Sequence, residues 1–204
     1  GEPFTRPDIL EVISRARRLG LLVTIYTNGS LVTDAIAKKL AHLKVSEVAI
    51  SLLSLKARVS DALTGVPGAH KKTMKAIESL RKYGVPLTFR SCLLGPNDAE
   101  KAALTEFAHS RFASIKVDNV IGPPHHLVQS MAVCYPHLRG EDNQFRPVRR
   151  EKRKKLFYCG AGRSFATITP AGELVYCGMM PYPKIAIGKS FRVAWRKLNE
   201  LTSR

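Results

Sequence analysis

Long apolar runs, aromatic residues, cysteines and acids are all scarce in this sequence. No apolar stretch approaches the ~20 residues that a helix needs to cross a bilayer, and residue 1 begins no charged leader followed by an apolar segment, so a membrane partner is not expected. Only four cysteines occur in 204 residues (Cys92, Cys134, Cys159 and Cys177), too few for a secreted disulfide framework. A reducing, cytoplasmic setting with thiols available for metal is the expectation. Aromatics make up 7% of the chain, and none interrupts the basic run 146–155, which lacks the stacking platforms of single-strand nucleic-acid binders. The chain opens on Gly-Glu-Pro without an initiator Met, which reads as an internal piece of a longer protein.

What is present suffices for a core. The hydrophobic content is 45%, and a chain of this length buries roughly 70% of its unfolded surface, which excludes disordered and collagen-like classes. The 33 basic against 16 acidic side chains leave a net charge of +17, which invites nucleic acid or an acidic peptide as partner. Seven of the ten residues in the run RPVRREKRKK at 146–155 are basic, but the remaining excess is spread along amphipathic segments, so nucleic acid is the weaker option and a solvated linker the default.

Helical and strand periods alternate from residue 5 to residue 121, the pattern of β/α units on a parallel sheet. Four helices are expected: one opened by Thr5 and Asp8 and closed at Gly20; one from Thr33 with Ile36, Leu40 and Leu43 aligned; one between Gly68 and Gly84; and one capped by Asn97 with Glu100 three residues later. Strand-length apolar runs lie at 21–27, 48–53, 87–94 and 115–121. Alternation puts Thr88, Arg90 and Cys92 on one side of the third, and Leu87, Phe89, Ser91 and Leu93 on the other. Arg90 then sits on the inner side of a curved sheet, where a ligand carboxylate could be its partner. Residues 122–158, with His125, His126 and the basic run, read as a linker. From 159 a small second unit is expected, with a hairpin turned at Pro170-Ala171-Gly172 and a helix from Ser190 aligning Ala194, Leu198 and Leu201.

Ligands of parallel β/α folds meet the chain where strands end. Three segments qualify: Gly1-Glu2-Pro3, Thr27-Asn28-Gly29 and Ser51. Each alone is an ordinary turn or packing feature, but their order is informative.

GEP at 1–3, TNGS at 27–30, AISLLS at 49–54 and TGVPGAHKKTMKAIESLRKYGVPL at 64–87 resemble the core of radical S-adenosylmethionine enzymes over residues 1–121. The resemblance implies an α/β fold, a partial parallel (β/α) barrel truncated at its N-terminus. By the same resemblance Gly1, Glu2 and Pro3 contact the cofactor's amino group, with Thr27 and Asn28 at the next strand end, and Ser51 lies near the ribose. Arg90 is the candidate for the carboxylate, on the inward-facing argument. Many members place Asp two residues after that serine; here Leu53 stands there. The family's C-x3-C-x2-C loop, which holds the [4Fe–4S] cluster, is not in these residues, so the piece alone is expected to be inactive. Cys159, twelve residues, Gly172, four residues and Cys177 resemble the opening of a SPASM extension, which implies Cys159 and Cys177 as ligands of an auxiliary iron–sulfur cluster. The expected organisation is a barrel core at 1–121, a linker at 122–158 and the start of an auxiliary-cluster domain at 159–204.

The function so implied is modification of a ribosomally made peptide or protein through a 5′-deoxyadenosyl radical, with an electron donor for the cluster and a substrate that is a peptide or protein, an acidic one among the options. The alternatives are a non-catalytic β/α module holding an acidic peptide or nucleic acid, and a phosphate- or nucleotide-binding barrel of another class.

Overall fold

A computed structural model describes residues 1–118, 161–177 and 183–202. The chain divides into two units, Gly1–Ile121 and Gly122–Arg204. The linker 122–158, Cys134, His125, His126, the run 146–155 and Cys159 lie outside the described residues.

In the first unit a short 3-10 turn, Pro3–Thr5, is followed by α1 (Ile9–Arg18), β1 (Thr24–Thr27), α2 (Asp34–His42), β2 (Glu47–Ser51), α3 (Ala57–Thr64), α4 (Ala69–Lys82), β3 (Leu87–Cys92), α5 (Lys101–His109) and β4 (Ser114–Asp118). The four strands pair in the order β1-β2-β3-β4, all parallel. Helical connections permit this, because a parallel neighbour can be reached only by a crossover. One face of the sheet carries Ile25, Val48, Ile50 and Phe89, which pack with Leu40 of α2, Ile77 and Leu80 of α4 and Leu104 of α5 in one buried core. Phe89 and Ile50 are fully buried at its centre.

The other face is set by the register, since paired residues of parallel strands point the same way. Thr88 pairs with Ala49 and Ser114, and its hydroxyl lies 2.7 Å from that of Ser114. One step further along the strands, Ser51, Arg90 and Lys116 form a row. The assignment of Arg90 and Phe89 to opposite sides therefore matches the structure.

Several local expectations are corrected. The hydroxyl of Thr5 donates to the carbonyl of Glu2, and Asp8 pairs with Arg6, so neither side chain caps α1. The first strand starts only at Thr24; Leu21 and Leu22 precede it in exposed positions. Helix α3 was not anticipated: its eight residues bridge the motif segments 49–54 and 64–87, and it is closed by Gly65 at φ +68°. The largest correction concerns Asn97 and Glu100. Neither caps α5 with its side chain, because both are buried and bonded across the fold.

In the second unit β5 (Thr167–Ile168), β6 (Glu173–Val175) and β7 (Ile185–Ala186) form an antiparallel sheet, and α6 spans Phe191–Thr202. The β5–β6 hairpin turns at residues 170–172, with Gly172 at φ +75° donating its amide to the carbonyl of Thr169. A side chain with a Cβ is strained in that conformation, whereas glycine adopts it without steric cost. Ala194 and Leu198 bury against Leu174, and Trp195 packs at the margin while stacking on Phe191. Leu201, expected on the same face, is exposed.

Candidate cofactor cleft

At the C-terminal end of β1, the carboxylate of Glu2 gathers the chain. Thr27 Oγ1 donates to Glu2 Oε1 at 2.7 Å, the Asn28 amide to Oε2 at 2.8 Å, and the Phe4 amide to Oε1 at 3.3 Å. Thr27 Oγ1 in turn accepts from the Gly29 amide, and Asn28 Oδ1 from the Ser30 amide. An ionised carboxylate has about four acceptor positions, so these three bonds leave room for a ligand donor.

Gly29 fixes the close approach of this turn to the core. Its φ is +79°, and a Cβ there would stand 2.8 Å from Ile50 Cδ1 and 3.1 Å from Ala76 Cβ. The turn is also tied to α4, since Thr73 Oγ1 donates to the carbonyl of Asn28 at 2.9 Å.

Between this turn, the end of β2 and the start of α4 lies a cleft of about 300 Å³. It is lined by Asn28 and Ser30 after β1, Ser51 and Leu53 at the end of β2, Ser60, Thr64 and Val66 of α3 and its exit, and Ala69, Lys72 and Thr73 of α4. This volume is at the low end of small-molecule sites, and its position outside the carboxyl ends of parallel strands is where such folds bind ligands. Amide and hydroxyl groups alternate with the apolar faces of Leu53, Val66 and Ala69. That mixture suits a flat heterocycle joined to a hydroxylated sugar.

Of the residues singled out in the sequence, Thr27, Asn28 and Glu2 are directly bonded together, and Ser51 shares the cleft with Asn28. Arg90 is the in-register neighbour of Ser51 on the same side of the sheet, but it is not part of the cleft lining. Gly1 and Pro3 border a different, apolar hollow between α1 and β1. Cys177 is a partly buried thiol. Leu53, two residues after Ser51, lines the cleft with an apolar side chain.

The fixing of the β2–α3 loop was not read from the sequence. Asn97 Nδ2 donates to the carbonyls of Leu53 and Cys92, and its Oδ1 accepts from the Leu94 amide. Glu100 accepts from Ser54 Oγ at 2.8 Å and from the Leu55 amide at 2.9 Å. These bonds hold the wall that carries Ser51 and Leu53 to the exit of β3. The spacing Asn97 to Glu100 imitates a capping box, and only the burial of both side chains separates the two roles.

A model of the Radical SAM superfamily matches residues 1–108. The AdoMet-dependent heme synthase of Methanosarcina barkeri is 35% identical over 108 residues, which cover 53% of this chain and 31% of the relative. The PqqA peptide cyclase of Gluconobacter oxydans is 23% identical over 194 residues, covering 87% of this chain and 54% of the relative. The chain thus spans about a third to about half of these curated relatives. Streptococcus suis SuiB, solved with S-adenosylmethionine, superposes with a TM-score of 0.52 at 20% identity over 59% of this chain and 29% of its own, and so supports the fold. With the parallel sheet, the cleft at its strand ends and the match over more than half its length, the chain belongs to the radical S-adenosylmethionine superfamily, a family of enzymes that use S-adenosylmethionine and a [4Fe–4S] cluster.

Proposed function

We propose that this chain forms the cofactor-holding part of a radical enzyme that modifies a ribosomally made peptide or protein. The observation that carries the reading is the cleft at the ends of β1 and β2, which brings Ser51 together with Asn28, whose amide is bonded to the Glu2 carboxylate that also holds Thr27. In the complete enzyme, reductive cleavage of S-adenosylmethionine supplies a 5′-deoxyadenosyl radical, and the protein orients it and excludes side reactions. Glu2 accepts from the cofactor's ammonium group alongside the amides it already holds, with Gly1 and Pro3 shaping that end of the chain. Thr27 and Asn28 keep the Glu2 carboxylate in place, Ser51 meets a ribose hydroxyl, and Arg90, beside Ser51 in the sheet register, is the candidate for the carboxylate. Leu53 offers the ribose an apolar wall in place of a second acceptor.

The peptide part of the reading draws on relatives. PqqA peptide cyclase aligns over 87% of this chain, and the SuiB fold has been solved with its precursor peptide SuiA. A net charge of +17 favours an acidic substrate. The second unit is read as the start of a SPASM-type extension, with Cys159 and Cys177 as ligands of an auxiliary cluster. A donor of single electrons completes the system.

The experiment is anaerobic reconstitution of the complete protein with iron and sulfide, followed by incubation with S-adenosylmethionine and reductant. Formation of 5′-deoxyadenosine is the expected result, and iron content should fall in a Cys159→Ala, Cys177→Ala double variant. No cleavage of S-adenosylmethionine in iron-loaded protein would refute the enzymatic reading. Equal iron in the two proteins would remove the two cysteines from any cluster.

A further inference from the structure

The face of the sheet that carries Arg90 is built in rows by the strand register. Ala49, Thr88 and Ser114 form one row, and Ser51, Arg90 and Lys116 the next, nearer the carboxyl ends of the strands. The second row starts at the cleft, which Ser51 lines, and then sets two cations side by side on neighbouring strands. Arg90 is engaged in an interaction of its own. Lys116 is exposed and makes no ion pair among the described residues. Of the acids that the register places on this face, Glu47 stands at the start of β2 and Asp118 one row beyond Lys116, opposite Cys92. Like charges in one row repel, and an anion laid against them offsets that cost.

Lys116 is firmly held at its base. Its strand pairs with β3 from Ser114 to Asp118, the preceding Ile115 packs against the core, and the Ser114 hydroxyl lies 2.7 Å from that of Thr88. The backbone is therefore fixed while the four-carbon stem and its three donors remain adjustable, which suits a carboxylate met as a point charge. Neighbouring strands lie about 4.8 Å apart, so two strand steps put the Lys116 backbone about 10 Å from Ser51. An extended peptide advances about 3.3 Å per residue. One that crosses this row with its reacting residue at the cleft presents to Lys116 a side chain about three positions away.

We propose that Lys116 selects an acidic side chain of the peptide substrate, near the residue that reacts. The proposal rests on the reading of this chain as part of a peptide-modifying enzyme and adds to it a residue that sets substrate specificity. It replaces the diffuse attraction of a chain with net charge +17 by one defined contact on the sheet face. Lys38 supplies a comparison: it is equally exposed, but stands on α2, in the helix layer.

The test is equilibrium capture of synthetic octapeptides by the immobilised complete protein at physiological salt, read by mass spectrometry. Three pools are compared, with Glu, Gln or Lys fixed at a central position and uncharged residues elsewhere. Wild type is expected to retain the Glu pool about three- to fivefold over the Gln pool, the scale of one exposed ion pair. Lys116→Met should at least halve that preference, and Lys116→Glu should invert it in favour of the Lys pool. Lys38→Met and Lys38→Glu, which make the same charge changes in the helix layer, should keep the wild-type preference. No preference for Glu in wild type, an unchanged preference in Lys116→Glu, or a matching inversion in Lys38→Glu would overturn the proposal. Cleavage of S-adenosylmethionine without peptide should be equal in wild type and Lys116→Met; its loss in the variant would put Lys116 in the cofactor site and also overturn the proposal. Iron-loaded wild type that cleaves no S-adenosylmethionine would refute the enzymatic reading itself, a separate outcome from the failure of Lys116. Both lysines are exposed, so all four variants should melt at the wild-type temperature.

Discussion

Glu100 shows how little separates two readings of one residue. As a sequence it completes a capping box begun by Asn97; in the structure it is buried and receives the Ser54 hydroxyl and the Leu55 amide. Replacing it by Ala strands those donors in a water-poor loop, where an unmatched donor costs about 1–3 kcal/mol. Glu100→Ala should lower the unfolding free energy by that amount, read as a lower urea midpoint at an unchanged slope, and a midpoint equal to wild type would contradict the buried role. Gly29 allows a second prediction. Its left-handed backbone and the 2.8 Å approach to Ile50 Cδ1 leave no room for a methyl group, so Gly29→Ala should destabilise the fold by about 1–3 kcal/mol, seen as a lower thermal midpoint at unchanged far-UV signal. The Thr-Asn-Gly turn was legible because glycine after asparagine announces a turn. Lys72 was not, since nothing in the order of residues sets it apart from the other lysines of its helix.

The helix starts and strand ends carry the site, and their caps can be titrated. The Asp61 carboxylate of α3 accepts from the Gly68 amide at 2.7 Å and the His70 amide at 2.8 Å, joining α3 to the start of the helix that bears Lys72. Those two amides hold its pKa below the ordinary carboxylate value, the His70 bond contributing most. A carboxyl with a depressed folded-state pKa adds stability that is fully present above the unfolded value, near ~4, and is lost as pH falls through the lower folded value. Asp61→Asn should therefore be less stable than wild type at pH 6, with the gap closing as pH drops below about 4, as measured by denaturant unfolding across that range. A gap that stays constant with pH would contradict the cap. At this scale the period-2 and period-3.6 patterns identified all four parallel strands and four of the first unit's helices. Helix α3 escaped because its start at Ala57 has no side-chain cap and it is only eight residues long, with Val59 and Leu63 a single half-buried i, i+4 pair.

Across the whole molecule, the parallel order of four strands was foreseeable because strand and helix segments alternate from the N-terminus to β4, and such alternation has few solutions. Which side chains line the cleft was less so, since Ser60, Thr64 and Val66 reach it only through the packing of α3 against α4. Among the described residues no helix is long and apolar enough to cross a membrane. The high positive charge bears on association, and binding of an acidic peptide should weaken steeply between low and physiological salt, measurable by fluorescence anisotropy. The cleft at the ends of β1 and β2 is the proposed seat of S-adenosylmethionine. Ser51 faces that cleft at the end of β2 in an exposed position, so Ser51→Leu fills the space and removes a hydroxyl without entering the core. Calorimetric titration of the complete protein with S-adenosylmethionine tests the claim most directly. Wild type is expected to bind, with an affinity at least about tenfold lower in Ser51→Leu at an unchanged melting temperature, a loss of about 1.4 kcal/mol or more. Equal affinity in the two proteins would contradict it.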